Sequence, residues 1–222
     1  MSQPLTGPSR APASGGKPTS LVVLLHGLGA DGQDLIDLAQ HLGPFLPDTA
    51  FVAPNAPEPC DMGPYGYQWF SLQQRIPALM AAGADRAAPL LSQFIEAQLA
   101  ARGLDARRLA LVGFSQGTMM SLHVGPRLSP GPAAIVGFSG ALVAPERLVA
   151  EHRSTPPVLL IHGEADQVVP FQAMDAAANG LVAAGIVAET VRRPGLGHGI
   201  DGPGLEAAAQ FLTRYLGGPS QG

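Results

Sequence analysis

Ser115 lies in Gly113-Phe114-Ser115-Gln116-Gly117, a G-x-S-x-G pattern. A strand-like run over 109–112 precedes it and a helical pattern opens at Gln116. In that strand–turn–helix context the pattern holds a serine hydroxyl exposed on a strained turn. The flanking glycines fit this reading, because a Cβ at either would crowd neighbouring backbone. The helix start also turns free N–H groups and a positive dipole end toward the serine. The plain alternative is a glycine-rich turn with an incidental serine. Ser139, in Gly137-Phe138-Ser139-Gly140, lacks the second spaced glycine and reads as a strand-end residue near the pocket.

A serine hydroxyl attacks poorly at neutral pH without a base within hydrogen-bond reach. An imidazole suits that task, since its reference pKa is about 6.5. A carboxylate must then fix its tautomer and stabilise the imidazolium. After such a turn the acid comes first along the chain and the histidine second. Asp166, in His162-Gly163-Glu164-Ala165-Asp166, and His198, in Gly195-Leu196-Gly197-His198-Gly199, stand in that order. Asp166 could instead cap a turn, Glu164 is a nearby rival, and His198 could be a solvated loop residue. His41 and His123 fall in helical patterns, His152 in a polar loop, and His162 reads as buried and structural.

The third requirement is a place for the oxyanion. His26-Gly27-Leu28-Gly29-Ala30-Asp31-Gly32 follows the first strong strand-like run. The backbone N–H of Leu28, together with that of Gln116, is the natural pair of donors. A phosphate-binding loop is the competing reading, but neither G-x-x-x-x-G-K-[ST] nor G-x-G-x-x-G is present. His26 is expected to hydrogen-bond backbone and shape this loop.

These residues need a scaffold that delivers them to one edge. Apolar runs at 21–26, 50–53, 109–114, 133–138, 158–162 and 188–192 read as strands buried on both faces. Helical patterns fall between them at 34–42, 85–102, 116–128, 173–184 and 204–216. Pro89 is placed in the first turn of the second helix and Gly103 at its stop. In the last helix Leu205, Ala208, Phe211, Leu212 and Tyr215 share the inward face. The alternation implies an α/β fold with a mostly parallel, doubly wound sheet and helices on both faces. Active sites of such sheets lie at the carboxyl ends of strands, where each motif above sits. Residues 1–20, rich in Pro, Gly and Ser, are expected to be a loose arm with a short edge strand near Leu5. A single domain over 21–217 follows.

The motifs together resemble the phospholipase/carboxylesterase family, which includes the acyl-protein thioesterases. The resemblance rests on Leu25-His26-Gly27-Leu28-Gly29-Ala30-Asp31-Gly32, on Gly113-Phe114-Ser115-Gln116-Gly117 and on His162-Gly163-Glu164-Ala165-Asp166-Gln167-Val168-Val169-Pro170. Gln68-Trp69-Phe70 and Gly197-His198-Gly199 add to it. It implies one small α/β-hydrolase domain without a large cap, hydrolysis of esters or thioesters, often of medium acyl chains, and no cofactor. It carries the triad onto Ser115, Asp166 and His198, and implies that Trp69 flanks the acyl pocket, with Phe70 and Leu28 beside it. Core packing is the alternative for the only tryptophan. Thr118 departs from the small Gly or Ala that many relatives have after Gly117.

Composition narrows the remaining classes. The chain has 222 residues, 46% hydrophobic and 14% charged, which suits a compact globule rather than a disordered chain. Its net charge of −4, with Lys17 the only lysine, argues against a nucleic-acid partner. The longest aliphatic run, 21–25, is too short to span a bilayer, so no integral membrane association is expected. One cysteine, Cys60, rules out an intrachain disulfide, and no leader pattern opens the chain, so a cytoplasmic protein is expected. No cluster of His and carboxylates has metal-ligand spacing. The expected partner is a small-molecule ester or thioester. A hydrolase-fold protein that binds without catalysis is the reading from another class.

Overall fold

A computed structural model describes residues 4–217. Seven strands form one sheet in the order β1-β3-β2-β6-β7-β8-β9. They are β1 (Ser9–Arg10), β2 (Ser20–Leu25), β3 (Thr49–Val52), β6 (Leu109–Phe114), β7 (Ala134–Phe138), β8 (Val158–Gly163) and β9 (Ala188–Arg193). Only the β1–β3 pair is antiparallel; the other neighbours run parallel. A two-stranded hairpin, β4 (Glu58–Pro59) and β5 (Tyr67–Gln68), stands apart.

Strand alternation splits the apolar side chains into two cores, one on each sheet face. Leu21, Val23 and Leu25 point to the face covered by α3 (Pro77–Ala100), α4 (Gln116–Val124), α5 (Pro145–Glu151) and α6 (Gln172–Ala183). Val22 and Leu24 point to the face covered by α1 (Gly32–Ile36), α2 (Leu38–Leu42) and α7 (Gly202–Leu216). The sheet is thus doubly wound, and β6 lies at its centre with β2 and β7 beside it. Every residue of α4 is buried. The strand and helix that meet at Ser115 are therefore among the most enclosed in the molecule.

Four features depart from the sequence expectation, each for a physical reason. Residues 4–20 are docked, not loose. The carbonyls of Thr6 and Pro8 accept from the amides of Asn55 and Ala53, and β1 pairs with β3 just beyond them. Proline is compatible with an edge strand, because there its missing N–H would have faced solvent. Helix α3 begins at Pro77, eight residues before the expected start, with Pro77 in its first turn. Pro89 lies inside the helix on its exposed side, where water can serve the carbonyl left without a donor. Strand β9 is half-exposed because it is the sheet edge. Tyr215, expected to face inward, is 37% exposed and covers Phe211 at 5.0 Å between ring centroids. Among the described residues no helix is long and apolar enough to cross a membrane.

Candidate active site

Ser115 caps β6 and opens α4 with φ 54° and ψ −115°. A non-glycine residue at positive φ is strained and persists only where its surroundings over-determine it. Here they do. The Ser115 amide donates to the Phe138 carbonyl at 2.8 Å, and helix α4 springs away at once. Gly117 passes so close to the Leu25 carbonyl that a Cβ would collide with it, and a Cβ on Gly113 would strike the Gly117 backbone. The turn is therefore closed to side chains on both flanks. Thr118 fits beside it for a related reason. Its hydroxyl lies 2.8 Å from the Gly113 carbonyl and 2.9 Å from the Phe138 carbonyl, and its methyl occupies the space left by Gly137 and Gly140.

Asp166 follows β8 and His198 follows β9, so both project from carboxyl ends of adjacent strands. His198 Nδ1 lies 2.8 Å from Asp166 Oδ2, and His198 Nε2 lies 3.0 Å from Ser115 Oγ. An ionised carboxylate only accepts, so Nδ1 carries the proton and Nε2 is free to accept from the serine hydroxyl. The other Asp166 oxygen takes the amides of Val168 (2.9 Å) and Val169 (3.0 Å). Burial pushes the Asp166 carboxyl up, but the His198 hydrogen bond and these two amides outweigh it and hold the group below its ordinary value. Glu164, the rival acid, points to solvent. His162, buried behind the acid, has Nε2 2.9 Å from the Val169 carbonyl and 3.3 Å from Asp166 Oδ2. A carbonyl accepts only, so this nitrogen bears a proton and presents it to the carboxylate as well.

The His198 loop is tied at both ends. Arg193 at the end of β9 grips the Asp201 carboxylate through contacts of 2.9–3.1 Å, and Asp201 in turn caps α7 by accepting from the Gly204 amide. Gly195 takes φ 72°, which lets the loop fold back toward Ser115. Ala165 donates to the Leu196 carbonyl, joining the acid and base loops directly.

The Leu28 loop is held from three sides. His26 accepts from the Ala56 amide through Nε2 at 2.9 Å, so Nδ1 holds the proton and donates to the Gly27 carbonyl at 2.7 Å. Burial lowers the His26 pKa, in keeping with this neutral ring. Hairpin strand β5 bonds Gly29 and Ala30 through Tyr67 on both backbone groups. The buried Gln116 side chain accepts from the Trp69 amide (2.9 Å) and donates to the Phe70 carbonyl (2.7 Å). The amide of Leu28 meets no protein acceptor among the described residues, and Gln116 is the first residue of α4, where the N–H has no intrahelical partner.

A cavity of about 360 Å³ opens onto Ser115 and His198. Leu28, Leu72, Met80, Met119, Val169 and Pro170 are among the apolar residues of its wall. Trp69 and Phe70, expected on that wall, do not line it. Both are 1% exposed and belong to the core. The Trp69 ring donates from Nε1 to the His26 carbonyl (3.0 Å), and Phe70 packs under Gly83 of α3. Trp69 thus braces the Leu28 loop from behind. Of the wall residues Leu28 was expected, whereas Leu72 precedes α3, Met80 lies in its unforeseen first turn, Met119 comes from α4, and Val169 and Pro170 from the run after Asp166. Among the described residues no group of three or more His, Cys, Asp and Glu side chains is arranged to hold a metal ion.

Comparison with known proteins places this geometry in a family. The family model described as Phospholipase/Carboxylesterase matches residues 10–216. Esterase YpfH of Escherichia coli (strain K12) is 31% identical over 199 residues, covering 88% of this chain and 82% of that protein. Acyl-protein thioesterase 1 of Yarrowia lipolytica is 31% identical over 166 residues, covering 69% of this chain and 72% of that protein. The crystal structure of esterase PE8 superposes with a TM-score of 0.91 at 47% identity, covering 96% of this chain and all of that one. The chain belongs to the phospholipase/carboxylesterase family and is a serine hydrolase of the esterase type, built on the α/β-hydrolase fold.

Proposed function

We propose that Ser115, His198 and Asp166 are the catalytic triad of a carboxylesterase for short to medium acyl chains, working through an acyl-enzyme. The observation that carries this reading is the unbroken row from Ser115 Oγ to His198 to Asp166, at 3.0 and 2.8 Å, opening onto an apolar cavity. Ser115 Oγ attacks the ester carbonyl while His198 Nε2 takes its proton. The developing oxyanion is received by the amides of Leu28 and Gln116, an interaction worth about 2.7–4 kcal/mol per donor. As the tetrahedral species collapses, the alcohol leaves with the proton from His198. Water then attacks the acyl-Ser115 ester, giving its proton to His198, which returns it to the leaving Ser115 Oγ as the carboxylic acid departs. Asp166 stays ionised throughout and holds the imidazole in its tautomer. The chemistry is confined to the chain's own residues and a small-molecule ester, with no cofactor and no nucleic acid. A cytoplasmic setting suits a chain with the single cysteine Cys60.

Thioester hydrolysis is the second reading, favoured by the apolar wall and by the relative named acyl-protein thioesterase. A series of 4-nitrophenyl esters from acetate to palmitate, run beside S-acyl analogues, separates the two. The carboxylesterase reading predicts that kcat/KM peaks at or below medium chain length with oxygen esters preferred. A maximum at palmitate or a strong S-acyl preference replaces it with the second. Ser115→Ala is expected to fold and to lose turnover and fluorophosphonate labelling together. A wild-type protein that takes no label and turns over no ester is a binding protein instead.

A further inference from the structure

The catalytic cavity is hydrocarbon on nearly every side, yet one cation stands at its edge. Arg75 lines it from the segment before α3, exposed to solvent, and its Nη1 donates to the Val168 carbonyl at 3.1 Å. No cavity-lining residue is an Asp or Glu. Among the described residues Arg75, like Arg86, Arg102, Arg108 and Arg153, has no acidic partner within 4 Å, but of these five only Arg75 lines the cavity.

The fold gains little from a cation at this place. Ile76 is the N-cap of α3 and Pro77 its first residue, so Arg75 abuts the amino end of a 24-residue helix. That end carries positive partial charge, which disfavours a neighbouring cation. The first turn of α3 contains no acidic residue to compensate, and Ile76 supplies no side-chain cap. Guanidinium and helix end therefore add, and their potential falls on the mouth of a cavity whose low-dielectric walls strengthen it. The Val168 carbonyl engages one guanidinium N–H. A planar guanidinium has five, and a carboxylate or phosphate takes two of them side by side.

We infer that the preferred substrates are esters bearing an anionic group, a carboxylate or a phosphate, away from the scissile carbonyl, and that Arg75 binds that group. This rests on the active site as read above. Arg75 touches none of the reacting atoms, so it sets specificity rather than chemistry. The anion could be on the acyl or the alcohol part; the same guanidinium contact serves either.

The test is a ratio of kcat/KM values for matched esters in wild type, Arg75→Met and Arg75→Lys. On the acyl side the pair is 4-nitrophenyl hexanoate and 4-nitrophenyl hydrogen adipate, which share a six-carbon acyl chain ending in methyl or carboxylate. On the alcohol side it is phenyl acetate and 4-carboxyphenyl acetate. In at least one pair the anionic-to-neutral ratio is expected to fall roughly five-fold in Arg75→Met, the scale of a partly screened ion pair. Arg75→Lys retains part of the ratio, and higher ionic strength compresses it in wild type. Loss of the Val168 tether alone alters the cavity for both members of a pair and leaves the ratio in place. Ratios unchanged by Arg75→Met in both pairs, with neutral esters turned over, overturn the Arg75 inference alone. A wild type inert toward all four esters overturns the active-site reading itself.

Discussion

Among the described residues three histidines lie against an aspartate, His198 and His162 against Asp166 and His123 against Asp85, and the contrast between His198 and His123 is instructive. His198 meets Asp166 at 2.8 Å and His123 meets Asp85 at 3.1 Å. In the first pair the far nitrogen faces a strained serine at the floor of a cavity. In the second, on α4 and α3, the far nitrogen Nδ1 is buried without a partner, and Asp85 is shared with Arg147 of α5. Arg147 also binds Glu151, which binds Arg127, so the second pair is one corner of an ionic network that ties three helices together. An imidazole beside a carboxylate is thus no sign of catalysis by itself. The distinguishing features are what the other ring nitrogen meets and whether a substrate can reach it.

The comparison can be broken most decisively at the two carboxylates. Asp166→Asn keeps the shape but turns a pure acceptor into a side chain that also donates, so His198 loses its enforced tautomer. Turnover of a neutral ester is expected to fall about 10³–10⁴-fold on the precedent of such changes. Asp85→Asn is expected to leave kcat near wild type and to lower the unfolding midpoint in urea. Equal losses of kcat in the two variants would erase the distinction drawn here.

The same contrast explains how much was legible in the chain itself. Ser115, Asp166 and His198 could be read because each follows a parallel strand: the runs over 109–112 and 158–162 are apolar and buried, and 188–192 forms the half-exposed edge strand before the His198 loop. Local chemistry and topology agree there. Apart from Leu28, the cavity wall could not be read. Leu72, Arg75 and Met80 precede or open α3, whose amino-terminal turns are masked by small residues and by Pro89, a residue that ordinarily marks a helix start. Trp69 was ambiguous for a different reason. A large ring with one donor suits a pocket wall and a core equally, and the choice falls to the His26 carbonyl 43 positions away in sequence. The docking of residues 4–20 depends on carbonyl acceptors in a Pro-rich segment, and side-chain patterns carry no trace of them.

The next effect lies in stability against pH. Burial first, and then Arg127, lower the His123 pKa from 6.5 to about 4 in the folded protein. The folded ring therefore stays neutral while the unfolded chain takes up a proton as pH falls below 6.5. Stability from this group is complete above pH 6.5 and is lost progressively toward pH 4, with a limit of about 3 kcal/mol. Urea unfolding of wild type and His123→Leu at intervals between pH 7 and 4 tests this. The expected result is a shallower loss in the variant over that window. Parallel curves would mean that other groups carry the acid sensitivity.

The smallest effect sharpens the contrast between the pairs. Arg147 is partly exposed and bonds both Asp85 and Glu151, so its removal in Arg147→Met should cost only about 1 kcal/mol at neutral pH. Arg147 also acts on its neighbours' protons. Its hydrogen bond is the main cause that holds Asp85 below the usual carboxylate range, and its charge contributes to holding His123 down. Without it both groups must titrate at higher pH, closer to their unfolded values, so the stability they lose on acidification becomes smaller. An NMR titration of the His123 ring should show its midpoint rising in Arg147→Met, while ester kcat and the His198 signals stay as in wild type. A matching shift at His198 would mean that the ionic network and the active site are electrostatically joined, and that the two histidines are not independent devices.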